Sequence, residues 1–214
     1  MARTSCPRIL IADDHVLLAE ACKYLLEPEF EVVGVVRDGR ALLRAADELI
    51  PDVVIVDVAM PQLNGLDAAE MVKEKHPRVK LIFLTMSLAA DIAAEAFRRG
   101  ASAYVVKHCS AEELVTAVRR VLHGESYLSP LVTKDTVQFL IRSGKPYEHE
   151  KKVSNRQAEV LQLLAEGKSM KEIAYILQLK PGTVAFHKYK IMAQLNITSN
   201  AQLIEYALKH HLIS

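Results

Sequence analysis

Across residues 1–124, apolar runs of strand length alternate with stretches whose apolar residues recur at helical spacing, and beyond residue 124 the alternation stops. The runs at 8–12, 31–36, 53–56, 79–84 and 102–106 predict strands, and the stretches at 16–26, 39–49, 65–75, 89–99 and 111–122 predict helices. Gly100 and Gly124 stop the last two helices, and Pro77 stops the third because the residue before a proline avoids the α region. The run Val53-Val54-Ile55-Val56 has no polar alternation, as expected of a strand buried on both faces. Repeated strand-then-helix units predict an α/β fold: a doubly wound, five-stranded parallel sheet with right-handed crossovers and helices on both faces.

After residue 124, polar residues with Pro130, Gly144 and Pro146 mark a connector, 125–152, with a short amphipathic helix at 131–141 and a mobile charged stretch at 144–152. From 153 to 214 the pattern is helical throughout. Ser154 and Gly167 bound a helix at 155–166, and further helices are predicted at 170–177, 181–195 and 199–209, with Pro181 suited to a first turn. The chain therefore divides into a unit at 1–124, a linker at 125–152 and a small all-α four-helix unit at 153–214. Within the last, 173–177, a short connection and 183–188 have the form of a helix-turn-helix, whose second helix enters a major groove. On that second helix Val184, Ile191 and Leu195 have core spacing, while Thr183, His187, Lys188 and Lys190 are expected outside. An interaction bundle with solvated lysines is the alternative these helices leave open.

Charge sharpens the division. Residues 1–124 hold 15 Lys+Arg against 18 Asp+Glu, and residues 153–214 hold 7 against 4, so an acidic front precedes a mildly basic back. That asymmetry permits a nucleic-acid partner at the C-terminal end. Cys6, Cys22 and Cys109 lie far apart without a Cys-x-x-Cys pair, which argues against disulfides and a zinc site and favours a reducing cytoplasm. No apolar signal core opens the chain, and no run approaches the roughly 20 apolar residues of a membrane span.

Candidate chemistry sits at the strand ends. In a parallel sheet of this kind Asp13-Asp14, Asp57, Thr85 and Lys107 leave the strands along one edge, where such sheets hold ligands. A lone Asp in that place is also a good turn cap, but an acid pair, an acid, a hydroxyl and an ammonium together are not explained by capping. Crowded carboxylates need a cation, and oxygen ligands select a hard divalent ion, with Mg²⁺ the best match. Asp57 then becomes a nucleophile able to accept a phosphoryl group, with Lys107 neutralising the transferring oxygens and Thr85 hydrogen-bonding one of them. His15 is expected at the exposed start of the first helix, outside the chemistry.

These residues carry a family resemblance. With Asp13-Asp14, Asp57 followed by Met60-Pro61 and Gly65, Thr85 and Lys107, residues 8–124 resemble a response-regulator receiver domain, whose fold is flavodoxin-like. The resemblance implies that Asp57 is the phospho-acceptor and that Asp13, Asp14, Asp57 and the backbone carbonyl of Ala59 hold Mg²⁺. It also implies that Thr85 and Tyr104 form the switch pair, although Tyr104 fits equally well as a half-buried strand aromatic. Residues 153–210 resemble the four-helix DNA-binding domain of the NarL/FixJ/LuxR type. That likeness rests on Arg156, Glu159-Val160-Leu161, Leu164-Ala165-Glu166-Gly167-Lys168-Ser169, Lys171-Glu172-Ile173-Ala174, Leu177, Thr183-Val184, His187 and Ile191-Met192. With the outer face of the second helix and the lysines as phosphate contacts, DNA contacts are expected from Lys168, Lys171, Lys180, Thr183, Val184, His187, Lys188 and Lys190, so Val184 stands in both the core and the contact sets.

Gln157 departs from the Glu usual after Arg156, and Lys180-Pro181-Gly182 departs from the ordinary start of the recognition helix, where Gly182 costs about 1 kcal/mol relative to Ala. The function implied is a cytoplasmic two-component response regulator. A sensor histidine kinase phosphorylates Asp57, and promoter DNA is bound, with a homodimer as the active form. Two rivals are a pseudo-receiver that binds DNA without phosphorylation and a Mg²⁺-dependent phosphohydrolase. Against the second, Val58-Ala59 offer no acid beside Asp57, and turnover catalysis is not expected.

Overall fold

The register of the sheet brings distant residues together. A computed structural model of the chain describes residues 6–142, 153–209 and 212–213. The strands are β1 (Arg8–Ala12), β2 (Glu31–Val36), β3 (Val53–Val56), β4 (Lys80–Thr85), β5 (Ala103–Val106) and β6 (Tyr127–Leu128). They pair in parallel in the order β2-β1-β3-β4-β5-β6. Ala12 is registered with Val56 and Thr85 with Val106, so Asp13, Asp57 and Lys107 leave neighbouring strands along one edge. The strand order reverses between β1 and β3, the place where open α/β sheets leave a crevice.

Side-chain alternation distributes the apolar residues over two faces. Ile9, Ile11, Val53, Ile55, Ile82, Leu84 and Val105 pack with Ala19, Cys22 and Leu26 of α1 (Val16–Leu26) and with Leu114 and Val118 of α5 (Ala111–Leu122). Leu10, Ala12, Val54, Val56, Leu81, Phe83 and Val106 face α2 (Gly39–Leu49), α3 (Gly65–Lys75) and α4 (Ala90–Arg98). This two-sided burial accounts for the unbroken apolar run of β3.

Among the described residues the sheet has six strands where five were expected. A two-residue strand is too short to show a period, but its pairing is real: β6 registers Ala103 with Tyr127 and Tyr104 with Leu128. The ladder is extended by the Ser129 amide, which donates to the Tyr104 carbonyl at 2.8 Å. The Ser129 hydroxyl, fully buried, donates to Glu113 Oε1 at 2.6 Å. The helix expected at 131–141 forms as α6 (Lys134–Arg142) and packs on α4, with Val132 and Val137 joining the core of the sheet. This part of the connector is therefore attached to the sheet. The stretch 144–152, expected to be mobile, lies outside the described residues.

A separate core joins α7 (Asn155–Ala165), α8 (Met170–Leu177), α9 (Pro181–Leu195) and α10 (Asn200–Lys209) through Val160, Leu161, Ile173, Leu177, Ile191 and Leu203. Gln157 has a local role as the third residue of a capping box. Its side chain accepts from the Ser154 amide at 2.8 Å, a task that Gln performs as Glu does. A second box, Ser169 with Glu172, starts α8. Lys180 makes no side-chain cap bond, and α9 starts instead on the preset φ of Pro181. Among the described residues no helix is long and apolar enough to cross a membrane.

Candidate functional site

Asp57 follows β3 directly and is buried with its carboxylate facing the end of β5. Lys107 Nζ lies 2.5 Å from Asp57 Oδ2 and 2.8 Å from Asp13 Oδ2, so one ammonium serves two buried carboxylates. The fixed position of the loop after Asp57 depends on Gly65. The Gly65 amide donates to the Val58 carbonyl at 2.8 Å, and a Cβ on Gly65 would stand 1.8 Å from the Asp57 carbonyl oxygen. Only glycine allows that approach.

The group fits a hard divalent cation. Ligand atoms of Asp13, Asp14, His15 and Asp57 all lie within 4.8 Å of one another. Asp14 Oδ1 is buried without a hydrogen-bond partner; His15 Nδ1 is 3.0 Å away but off the hydrogen-bonding direction. An orphaned carboxylate oxygen beside two further carboxylates is the environment a bound cation relieves. Burial pushes the Asp57 carboxyl above its ordinary value, outweighing the pull of Lys107 in the other direction, and Asp13 adds to the rise. Burial works against the charge of Lys107, but its hydrogen bonds and attraction to Asp13 and Asp57 prevail and hold it above its ordinary value. His15 is exposed at the N-cap of α1, as expected.

Thr85 is buried at the end of β4, where its Oγ1 accepts from the Ser87 amide at 3.4 Å. Tyr104 is not half-buried: its ring is fully enclosed, turned inward, and its hydroxyl donates to the Ser87 carbonyl at 3.0 Å. Both members of the expected pair thus meet at Ser87. Ala59 borders a cleft of about 300 Å³ that runs from Asp14 past Met60 and Pro61 to Ala165, Glu166 and Ile213 of the C-terminal unit.

That cleft adjoins a contact between the two units. Gln162 of α7 is 1% exposed, and both ends of its amide are engaged. Its Oε1 accepts from the Asn64 amide at 2.7 Å, and its Nε2 donates to the Met60 carbonyl at 2.7 Å and to Glu166 Oε1 at 2.9 Å. Glu166 in turn accepts from the amide of Gln62, a residue in the left-handed region at φ 66°. Arg40 Nη2 reaches Glu159 Oε2 at 2.6 Å, and Arg156 joins the same carboxylate. The loop that follows Asp57 is therefore held from below by Gly65 and from above by α7. Sequence reasoning missed Gln162, although a polar residue between Leu161 and Leu163 in an otherwise apolar turn marked it as a candidate.

On the C-terminal unit Lys168, Lys171, Lys180 and Lys190 are exposed, whereas Thr183, His187 and Lys188 are half-buried. Val184 requires a correction: it is fully buried in the helical core and presents nothing to a groove. Its spacing with Ile191 was the better guide. The outer face of α9 also carries Phe186 and Tyr189, which the expected contact set left out, beside Lys190, which it included.

Comparison with known proteins agrees with this geometry. Residues 9–119 match the family described as response regulator receiver domain, and residues 151–207 match the bacterial regulatory proteins of the luxR family. The chain is 35% identical over 214 residues to the oxygen regulatory protein NreC of Staphylococcus carnosus, covering 96% of this chain and 99% of that one. It is 30% identical over 211 residues to the response regulator GacA of Pseudomonas aeruginosa, covering 96% and 97%. A structure of two RcsB dimers bound to two parallel DNAs superposes with a TM-score of 0.57 at 25% identity, covering 95% and 98%.

Proposed function

Because the chain belongs to the response regulators, with a receiver domain joined to a LuxR-type helix-turn-helix domain, we propose that phosphorylation of Asp57 by a sensor histidine kinase controls binding of promoter DNA by α9. The observation that carries this reading is Asp57 at the end of β3, with Lys107 at 2.5 Å and two further carboxylates in one small group. We place the phospho-accepting domain at 1–142, because β6 and α6 complete its sheet and core, and the DNA-binding domain at 153–214, in a cytoplasmic protein.

In the transfer, an Asp57 oxygen bonds to phosphorus as the phosphorus–nitrogen bond of the kinase's phosphohistidine breaks and the imidazole leaves, taking a proton from solvent. Asp13, Asp14, Asp57 and the Ala59 carbonyl would hold Mg²⁺, which supplies charge neutralisation for the phosphoryl oxygens. Lys107 already pairs with Asp57 and is within reach of the oxygens that arrive there. Thr85 gives up only a long bond, 3.4 Å, when its hydroxyl turns toward the phosphoryl group. Tyr104 then remains packed behind it. The chain acts as a switch and not as a turnover enzyme, since Val58 and Ala59 supply no general acid beside the acceptor.

The exposed Lys168, Lys171, Lys180 and Lys190, with the half-buried Thr183, His187 and Lys188 beside them, supply the contacts that position α9 on DNA. A homodimer is the binding form, since one recognition helix reads too short a site for high specificity. The RcsB dimers on DNA support that assembly by likeness.

The test is DNA retention on a promoter fragment at fixed salt, for the wild type and Asp57→Ala, each with and without Mg²⁺ plus beryllofluoride. Tightening in the wild type alone is the expected result. Equal binding under all four conditions would leave a DNA-binding protein without a phosphoryl switch, and no binding under any of them would overturn the DNA reading.

A further inference from the structure

The outward face of α9 is aromatic. At about 100° per residue, Phe186 stands about 160° from Val184 and about 140° from Ile191 around the helix. Because Val184 and Ile191 form the buried side, Phe186 occupies the middle of the side that faces away from the core. It is 61% exposed, and Tyr189, three residues on, is 66% exposed. Lys188, about 160° from Phe186, stands on the inner flank and is half-buried. The receiver does not cover the aromatic pair, because its bonds to the C-terminal domain come from Arg40 and the loop after Asp57 to α7. Exposed rings at the centre of a helix face with no packing duty point to a ligand.

The surroundings say which ligand. Lys190 Nζ lies 5.9 Å from the centre of the Phe186 ring, and Lys168, Lys171 and Lys180 are also exposed on this domain. An ammonium beside an exposed ring, on a domain with further exposed lysines, matches a duplex groove, which offers phosphates at its rim and base edges in its middle. Of the base edges in the major groove, only thymine presents an apolar group, its 5-methyl, and phenylalanine is among the side chains that contact it. We propose that Phe186, flanked by Tyr189, reads thymine methyl groups in the operator, so that specificity is carried by apolar contact while the lysines provide affinity. This rests on the DNA-binding function argued above and adds the base class that the recognition helix selects.

The test uses the full-length chain with Mg²⁺ and beryllofluoride. A duplex is selected from a random-sequence pool by the wild type, and each thymine is then replaced singly by deoxyuridine, which removes only the methyl group. One methyl in contact with a ring is worth about fourfold in affinity. The expected result is one or two thymines per half-site where its loss weakens the wild type by about that factor, and where Phe186→Ala binds both versions equally. Phe186→Lys, which keeps helix propensity and adds charge, should bind random duplex better yet lose the methyl response. Uniform indifference of the wild type to deoxyuridine would overturn the inference, as would a Phe186→Ala protein that keeps the full methyl response. Phe186→Ala binding the selected duplex as the wild type does would also overturn it and assign the rings to a protein partner. Failure to enrich any duplex would instead remove the DNA-binding function on which the inference rests.

Discussion

Replacing Gln162 by Leu should open the contact between the two domains. If the contact stayed shut, the Asn64 N–H and the Met60 carbonyl would be buried without partners, at about 1–3 kcal/mol each. Opening lets water pair both groups, so the substitution penalises the closed state alone. With one group each at Asn64 and Met60, the closed state loses about 2–6 kcal/mol relative to the open one, at least about 30-fold in population. Amide hydrogen exchange followed by NMR reads this at one atom. The Asn64 amide should exchange faster in Gln162→Leu, and the Gln62 amide, held by Glu166, should follow it. The Gly65 amide is bonded to the Val58 carbonyl inside the receiver and serves as the internal reference that should not change. Exchange at Asn64 within twofold of the wild type would refute the reasoning, since the side chain would then not be what holds the loop to α7.

Two further predictions concern the fold itself. Gly65→Ala should cost more than about 2 kcal/mol, because the added Cβ meets backbone 1.8 Å away that cannot yield. Gly182→Ala, where nothing lies within 4 Å, should gain up to about 1 kcal/mol of helix propensity. Thermal melts separate the two, with about 2–4 °C per kcal/mol in a chain of this size, and a Gly65→Ala protein melting with the wild type would sink the first. The pH dependence at Cys22 is also testable. Burial is the main cause that pushes its thiol to about 11 from an ordinary 9.0. A folded value above the unfolded one means that the unfolded chain releases the proton first, so stability is lost as pH rises from about 9 to about 11, by up to about 2–3 kcal/mol. Cys22→Ala should remove that slope while keeping whatever slope the lysines and tyrosines contribute, and parallel melting-temperature curves for the two proteins across that range would refute it.

Most of the receiver was legible because its strands are buried on both faces. A run such as Val53–Val56 has one physical explanation, and the polar residue that ends it is fixed to the sheet edge by the parallel register. The capping residue Ser154 likewise acts locally, and local effects can be read from neighbouring positions. What escaped depends on pairing partners far away in sequence. Tyr127–Leu128 is a strand only because β5 lies beside it, and Gln162 is a buried interface residue only because a loop 98 residues earlier presents Asn64 to it. Phe186 is a different case. The core spacing of Val184 and Ile191 already placed it opposite the core, but the outer face was read as Thr183, His187, Lys188 and Lys190, chosen by polarity and not by helical angle. There the helix geometry was the stronger argument, and the burial of Val184 decides it.

The position of α9 constrains how phosphorylation can act. Phe186 and Tyr189 are already open to solvent, so exposing these two rings does not require the receiver to move. The domain contact itself is where the receiver acts on its neighbour. The contact is built on residues 60–64, and Ala59, whose carbonyl would join the cation, immediately precedes them. A cation or phosphoryl group that moves this loop therefore changes the bonds to Gln162 and Glu166. Linkage makes the effect reciprocal: by whatever factor beryllofluoride shifts the closed state, closure shifts the affinity for beryllofluoride. Gln162→Leu must then bind the phosphoryl mimic more tightly if phosphorylation opens the contact, and more weakly if it strengthens it. The sign of that single change in affinity decides whether the phosphorylated receiver lets its DNA-binding domain go or holds it in place.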